Sequence, residues 1–264
     1  MTVTAVPPTP TPLVPTALPL MPTPTLLPAA ATPTPPPDNG WQPVRPGMEQ
    51  RTITLLGADG TVQERVVALR LDMVLYDLRV TYQPGSPRFL PDWQAETGAL
   101  LLVNGGFFTP EYEATALVVV DGQASGISYE GFGGMLAVTD YGVEVRSLVE
   151  RPYSPDEPLQ FALQSFPMLV NAGTAVYTNE DGQTARRTAV GVDGDGRLLF
   201  ILAPLGGFTL AQFSQFLAEN EWGLVSALNL DGGTSTGLLL ADPLLGIPAF
   251  VPLPVVIAVD DILE

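Results

Sequence analysis

"SALNLDGGTSTGLLL", residues 226–240, decides the fold. An apolar run leads into Asn229, Leu230 and Asp231, two glycines and a series of hydroxyls follow, and apolar residues resume at Leu238. A buried strand thus enters a turn and leaves it as another strand, with one carboxylate at the break. Asn229 and Asp231 are two residues apart, so on extended chain both side chains leave the same side of a sheet. The glycine pair permits positive φ and a close approach of backbone to a ligand or to another strand. The N–H groups of Gly232, Gly233, Thr234 and Ser235 can form a nest for an anion or a developing oxyanion. A tight turn in which Asp231 accepts backbone hydrogen bonds is the alternative that spacing leaves open.

Immediately upstream, "GGFTLAQFSQFLAENEWG" (206–223) predicts a helix. Thr209 and Gln212 have capping-box spacing, Leu210, Phe213, Phe216 and Leu217 share one face, and Gly223 is the expected stop. The helix should lie against the sheet that carries residues 226–240. Strand signals fill the rest of the chain. "RTITLLG", "TVQERVVALRL" and "MVLYDLRVTY" (51–82) predict an opening antiparallel meander. A short helix is expected in "LPDWQAETGA" (90–99), then a buried strand in "ALLLVN" (99–104). "GGMLAVTD", "VEVRSL" and "QFALQSFPMLV" are further strand candidates, and "TAVGVD" with "RLLFILA" predicts a hairpin turning at "GDG" (194–196). The expected fold is therefore α+β: strand-rich mixed sheets with a few packed helices, in one compact domain over 47–264.

Residues 1–46 read differently. They hold most of the prolines, and no charge precedes Asp38. Such a Pro/Thr-rich segment lacks amide donors and favours extended polyproline II geometry, so it is expected to be a disordered spacer. It has no proline-free apolar run of membrane-spanning length and no basic start of a signal peptide. A spacer of this kind holds a domain away from a surface, so we expect an extracytoplasmic protein, secreted or tethered to a cell surface, with an export or anchor segment preceding the spacer.

Composition limits the chemistry. Of 264 residues, 28 are acidic and 11 basic, giving a net charge of -17, which repels nucleic acid and anionic lipid. An anionic substrate needs a local cation. Cysteine and histidine are both absent. Disulfides, thiolate nucleophiles, Cys/His zinc sites and Ser-His-Asp triads are thereby excluded. Carboxylates, arginines, hydroxyls, amides and backbone N–H groups remain.

Two more stretches repeat the grammar of the first. "VNGGFF" (103–108) ends an apolar strand in Asn104, Gly105 and Gly106, followed by Phe107 and Phe108. Asn donates and accepts at once, which suits a sugar hydroxyl or the fixing of a neighbouring group, and an aromatic ring suits the apolar face of a sugar. At least one of the two phenylalanines is expected to be core. "ARRTAVGVD" (185–193) brings Arg186 and Arg187 to a strand start, and the guanidinium fork fits phosphate or carboxylate. A solvated pair or a salt bridge is the bland alternative.

Taken in order, Asn104 to Phe108, Gln164 to Pro167, Arg187 to Gly191, the capped helix and Asn229 to Gly233 resemble the phosphodiester glycosidase family over roughly residues 50–260. Thr234, Ser235 and Thr236 replace the glycine and serine that many members carry there. "APLGG" stands where many have an Asp-Gly step before the helix. The resemblance implies a hydrolase that cleaves the glycosidic bond of a sugar-1-phosphodiester, releasing sugar and phosphomonoester.

The residues admit that reaction. An ordinary glycosidase needs a second carboxylate to protonate an alkoxide leaving group. A phosphomonoester, whose last ionisation lies near pH ~6, leaves more readily. Asp231 is the expected carboxylate and Arg187 the expected phosphate ligand. Asn104, Gly105, Gly106, Phe107, Ser165, Thr188, Asn229, Gly232, Gly233, Thr234 and Ser235 are the expected substrate contacts. Glu111, Glu113, Glu130, Asp193 and Asp195 are candidates for a second carboxylate. No cofactor is expected; calcium on Asp231 and nearby carbonyls is an alternative, while "DGDG" (193–196) lacks a calcium-loop series. The expected partner is a small or polymeric carbohydrate phosphodiester. A non-catalytic carbohydrate or cell-wall binder, and a hydrolase of another exopolysaccharide or wall-polymer bond, remain as competing classes.

Overall fold

The computed structural model describes Met1 and residues 37–262. In chain order its strands are β1 (Gln42–Arg45), β2 (Met48–Leu56), β3 (Val62–Leu71), β4 (Tyr76–Tyr82), β5 (Leu101–Asn104), β6 (Val118–Val120), β7 (Gln123–Ser125), β8 (Gly134–Thr139) and β9 (Gly142–Ser147). They continue as β10 (Phe161–Ser165), β11 (Met168–Asn171), β12 (Thr174–Ala175), β13 (Ala185–Asp193), β14 (Leu198–Phe208), β15 (Leu224–Asn229), β16 (Leu238–Leu240), β17 (Leu245–Ile247) and β18 (Val255–Asp261). Two helices interrupt them, α1 (Leu90–Thr97) and α2 (Leu210–Glu219).

Three sheets result: β1-β2-β3-β14-β13-β15-β11-β12, β7-β6-β10-β8-β9, and β17-β16-β5-β18-β4. The expectation of mixed sheets is corrected, because every pairing among the described strands is antiparallel. The helical crossover explains the difference. β14 and β15, which α2 connects, run parallel but lie on either side of β13, so they never share a ladder.

One apolar core takes side chains from all three sheets, among them Leu69, Tyr76, Leu101, Leu136, Leu163, Phe200, Leu228 and Ile257. The other face of the large sheet is covered by α2, whose Phe213 and Leu217 pack with Ala189, Leu199, Ile201 and Ala227. Each such fully buried side chain is worth about 1.5–3 kcal/mol against exposure. The α2 start is as expected: Thr209 Oγ1 accepts from Gln212 N at 3.2 Å, and Gln212 Oε1 accepts from Thr209 N at 3.0 Å. Its end is earlier than expected. Asn220 closes the helix, and Gly223, at φ 68°, serves the turn into β15.

Two other expectations change. The opening meander has two paired strands rather than three: β3 pairs with β2 and β14, whereas β4 crosses to β18. A turn at residues 72–75, closed by Leu75 N donating to Asp72 O, redirects the chain while both strands keep their apolar face on the shared core. The boundary at 46/47 also moves. β1 lies ahead of it, Asp38 bridges Ile53, and the Arg70 guanidinium sits 4.0 Å from the Trp41 ring centroid. The rest of the expected spacer, through residue 36, lies outside the described residues apart from Met1.

Candidate active site

The three motifs meet at Asn104. Its Nδ2 donates to Asp231 O at 2.8 Å and to Gly105 O at 3.2 Å. Its Oδ1 accepts from Thr188 Oγ1 at 2.9 Å and from Gly237 N at 3.0 Å. One fully buried amide therefore joins the end of β5, the start of β13 and the loop after β15. All four of its bonding positions are used inside the protein. This corrects its expected role as a sugar contact: Asn104, with Thr188 beside it, is a clasp. The glycines after it serve the same joint. A Cβ on Gly105 would lie 2.9 Å from Val255 atoms, and one on Gly106 would lie 3.0 Å from Gln164 O.

The register of β13 on β15 then brings the Asp231 turn beside the start of β13. Ala189 is opposite Asn229. Leu230 N donates to Thr188 O at 2.9 Å, and a Cβ on Gly232 would meet Arg186 O at 2.7 Å. Beyond Asn229 the chain leaves the ladder, since Asp231 N donates to Gly105 O at 3.1 Å, and the Asp231–Gly232 turn passes beside the Arg186–Thr188 stretch of β13. Arg187 makes no ion pair among the described residues. Its Nε donates to Phe208 O at 3.4 Å and its Nη2 to Gln183 O at 2.9 Å. Arg186 projects from the other face of the strand, donates to Pro204 O and Pro248 O at 2.9 Å, and lies 4.3 Å from the centroid of the Phe250 ring.

The charge pattern is unequal. All eleven basic residues are arginine, and among the described residues eight of them carry a carboxylate partner. The others are the exposed Arg65 and the half-buried neighbours Arg186 and Arg187. Burial lowers the pKa of both neighbours, offset in part by Glu64 near Arg186 and by Asp181 near Arg187. Burial pushes the Asp231 carboxyl up to about 6, against weaker opposing hydrogen bonds from Ser235 and from Gly232 N. The site thus holds a carboxyl raised to about 6 and two guanidinium groups without a carboxylate partner among the described residues.

The loop after Asp231 uses part of its own nest. Gly232 N donates to Asp231 Oδ1 at 2.8 Å, and Ser235 N closes a 3₁₀ turn on Gly232 O at 3.1 Å. Two of the four N–H groups expected to face a ligand are engaged within the loop. Thr234 is exposed, and its carbonyl accepts from Phe250 N at 2.7 Å. Ser165, Asn229 and Thr236 are different. Asn229 Nδ2 donates to Phe166 O at 2.8 Å, yet Asn229 Oδ1, Ser165 Oγ and Thr236 Oγ1 are buried without a partner among the described residues. Buried polar atoms left unpaired cost about 1–3 kcal/mol each, and three of them gather around this joint.

The second-carboxylate candidates do not gather at Asp231. Glu111, Glu113 and Glu130 are exposed. Asp193 accepts from Arg197 Nε at 2.8 Å, and Asp195 accepts from Arg197 Nη2 at 2.7 Å, inside the β13–β14 turn. Among the described residues no three acidic side chains come together to hold a metal. Of the two aromatics, Phe108 packs beside α1, while Phe107 is half-buried outside every apolar cluster. Sequence reasoning passed over Thr236, Tyr129 and Phe132, although "YEGFGG" (129–134), an aromatic between glycines, was a signal for the last. A cavity of about 790 Å³ lies elsewhere, between β4 and the β8–β9 hairpin, and contains none of these residues.

Fold and site define an antiparallel β protein with one aspartate and unpaired arginines at the end of a central strand. The phosphodiester glycosidase family model matches residues 97–259, and the chain belongs to that family. The catalytic domain of zebrafish N-acetylglucosamine-1-phosphodiester alpha-N-acetylglucosaminidase, auto-inhibited by its pro-peptide, has a similar fold: TM-score 0.64, 18% identity, 82% of this chain and 84% of that one. A hypothetical protein from Synechocystis aligns with TM-score 0.56 and 16% identity over 81% of this chain and 62% of its own. A Burkholderia pseudomallei protein, named as exported, aligns with TM-score 0.54 and 14% identity over 75% and 74%. No curated protein matches the chain in sequence.

Proposed function

We propose that this chain hydrolyses the glycosidic bond of a sugar-1-phosphodiester. The observation that carries the reading is the buried Asp231 carboxyl in a turn that packs on the Arg186–Thr188 stretch of β13, in a protein that neutralises most of its other arginines. Arg187 holds the phosphate by its guanidinium fork. The bond between the anomeric carbon and the phosphate oxygen breaks, and its electron pair leaves with the phosphate. Water supplies the new hydroxyl on the anomeric carbon. Its proton goes to Asp231 in a single displacement; in a double displacement the Asp231 carboxylate first bonds to carbon and water then releases it. Both routes need ionised Asp231. Ser165 Oγ, Asn229 Oδ1 and Thr236 Oγ1 supply the polar contacts to the sugar. Family membership and the unpaired arginines support the substrate class.

The test is phosphorus NMR on a panel of glycosyl-1-phosphodiesters, with glycosides lacking phosphate as controls. A new phosphomonoester resonance together with free sugar is the expected result. Binding without a new resonance assigns the domain to the non-catalytic carbohydrate binders, and release of sugar from the controls alone assigns it to hydrolysis of another polymer bond. We place the protein outside the cytoplasm, in keeping with the export named for one fold neighbour and the Pro/Thr-rich sequence before the domain. No helix among the described residues is long and apolar enough to cross a membrane.

A further inference from the structure

Beside the unpaired polar atoms is an aromatic ledge. The rings of Tyr129 and Phe132 stack at 4.5 Å between centroids, and Phe132 meets Phe166 edge-on at 5.5 Å. Phe132 is 43% exposed and Phe166 39% exposed, so the two rings form one contiguous apolar surface open to solvent. The ledge is held in place. Tyr129 N donates to Gln164 Oε1 at 2.8 Å, its hydroxyl bonds Thr115 Oγ1 at 3.1 Å, and Gly131 and Gly133 turn the loop at φ 71° and 77°. A Cβ on Gly133 would lie 2.7 Å from Ser165 O, so this loop touches the strand that ends in Ser165 and Phe166.

The ledge adjoins the site through two residues. Asn229 donates to the carbonyl of Phe166 while its Oδ1 has no partner, and Ser165 Oγ, the neighbour of Phe166, has none either. Those two side chains are 3% and 0% exposed. Strand order fixes the direction. Arg187 is on β13, Asp231 follows β15, and Phe166 precedes β11, with β15 between the other two. Two strand spacings amount to roughly 10 Å, which suits a pyranose ring and its phosphate laid across Asp231.

We propose that Tyr129, Phe132 and Phe166 form the platform for the hexopyranose ring of the substrate, apolar face down, with the anomeric phosphate directed across Asp231 to Arg187. This assignment rests on the reaction proposed above. The ring C–H groups lie on the electron-rich aromatic faces, while Ser165 and Asn229 take hydroxyls at the ring edge. Binding is thereby divided: the platform selects a sugar, and Arg187 selects the phosphate.

Saturation-transfer NMR with free N-acetylglucosamine, glucose, galactose and mannose tests the platform without turnover. Wild-type protein, Phe132→Leu and Phe132→Tyr are compared, with phosphorus NMR of UDP-N-acetylglucosamine hydrolysis run alongside. Phe132 is exposed, so the variants should fold; equal melting temperatures check this. The expected result is saturation of at least one sugar in wild type, its loss in Phe132→Leu, a KM about tenfold higher in Phe132→Leu with kcat little changed, and recovery in Phe132→Tyr. Saturation of no sugar by wild type, or equal saturation in Phe132→Leu, overturns the platform. The two proposals fail separately. A protein that binds sugar through Phe132 but cleaves no phosphodiester keeps the platform and loses the reaction, whereas turnover indifferent to Phe132 does the reverse.

Discussion

At the scale of single residues, the proposed reaction rests on Asp231 and Arg187. Asp231→Asn preserves shape and can still accept from Gly232 N, so turnover in the phosphorus NMR assay should fall to background while the fold persists. In the wild type, log kcat/KM should rise with pH and level off above about 6, because both displacement routes need the ionised carboxyl whose pKa burial has raised. A profile flat between pH 5 and 8 removes Asp231 from the mechanism. Arg187→Lys keeps a charge but loses the planar fork. KM for phosphodiesters should then rise at least tenfold, with little change in the melting temperature, and an unchanged KM shows that the phosphate is held elsewhere. The sequence displayed both residues, since a carboxylate after a buried strand and an arginine pair in an acidic chain are visible in one dimension. The platform was less visible, because Tyr129, Phe132 and Phe166 come from two loops that meet only in the folded chain.

At the scale of elements, the joint at Asn104 positions everything else. Asn104→Ala strands Thr188 Oγ1, Gly237 N and Asp231 O in a buried setting. Stability should fall by about 3 kcal/mol or more, measured by urea unfolding, with turnover falling in the same variant because the Asp231 loop is released. A variant of wild-type stability shows that water replaces the clasp. The sequence predicted α1, α2 and its cap, β5 and the β13–β14 hairpin, since each is specified by local periodicity and turn chemistry. It misplaced β4, because a polar break between two amphipathic strands looks the same whether the chain folds back on its neighbour or crosses to another sheet.

At the scale of the whole molecule, the net charge of -17 and the perturbed aspartate act in the same direction. A carboxyl raised from 3.8 to about 6 on folding stabilises the protonated native state, and that contribution disappears as pH climbs through about 6. Its ceiling is about 3 kcal/mol, reduced by the partial exposure of the side chain. Unfolding free energy should therefore fall from pH 4.5 to 7.5 more steeply in wild type than in Asp231→Asn, as followed by urea titration at each pH; parallel profiles would show that Asp231 has an ordinary pKa. The sequence by itself determined the strand-rich class, the chemistry excluded by the lack of cysteine and histidine, and the three motifs, because composition and period-two patterning act locally. Only the tertiary structure decided that Asn104 is a clasp, that the Asp231 turn packs on the start of β13 and that exposed rings lie beside Asn229. These follow from sheet register and loop packing, which arise from contacts between segments separated by about 30 to more than 100 residues in the chain.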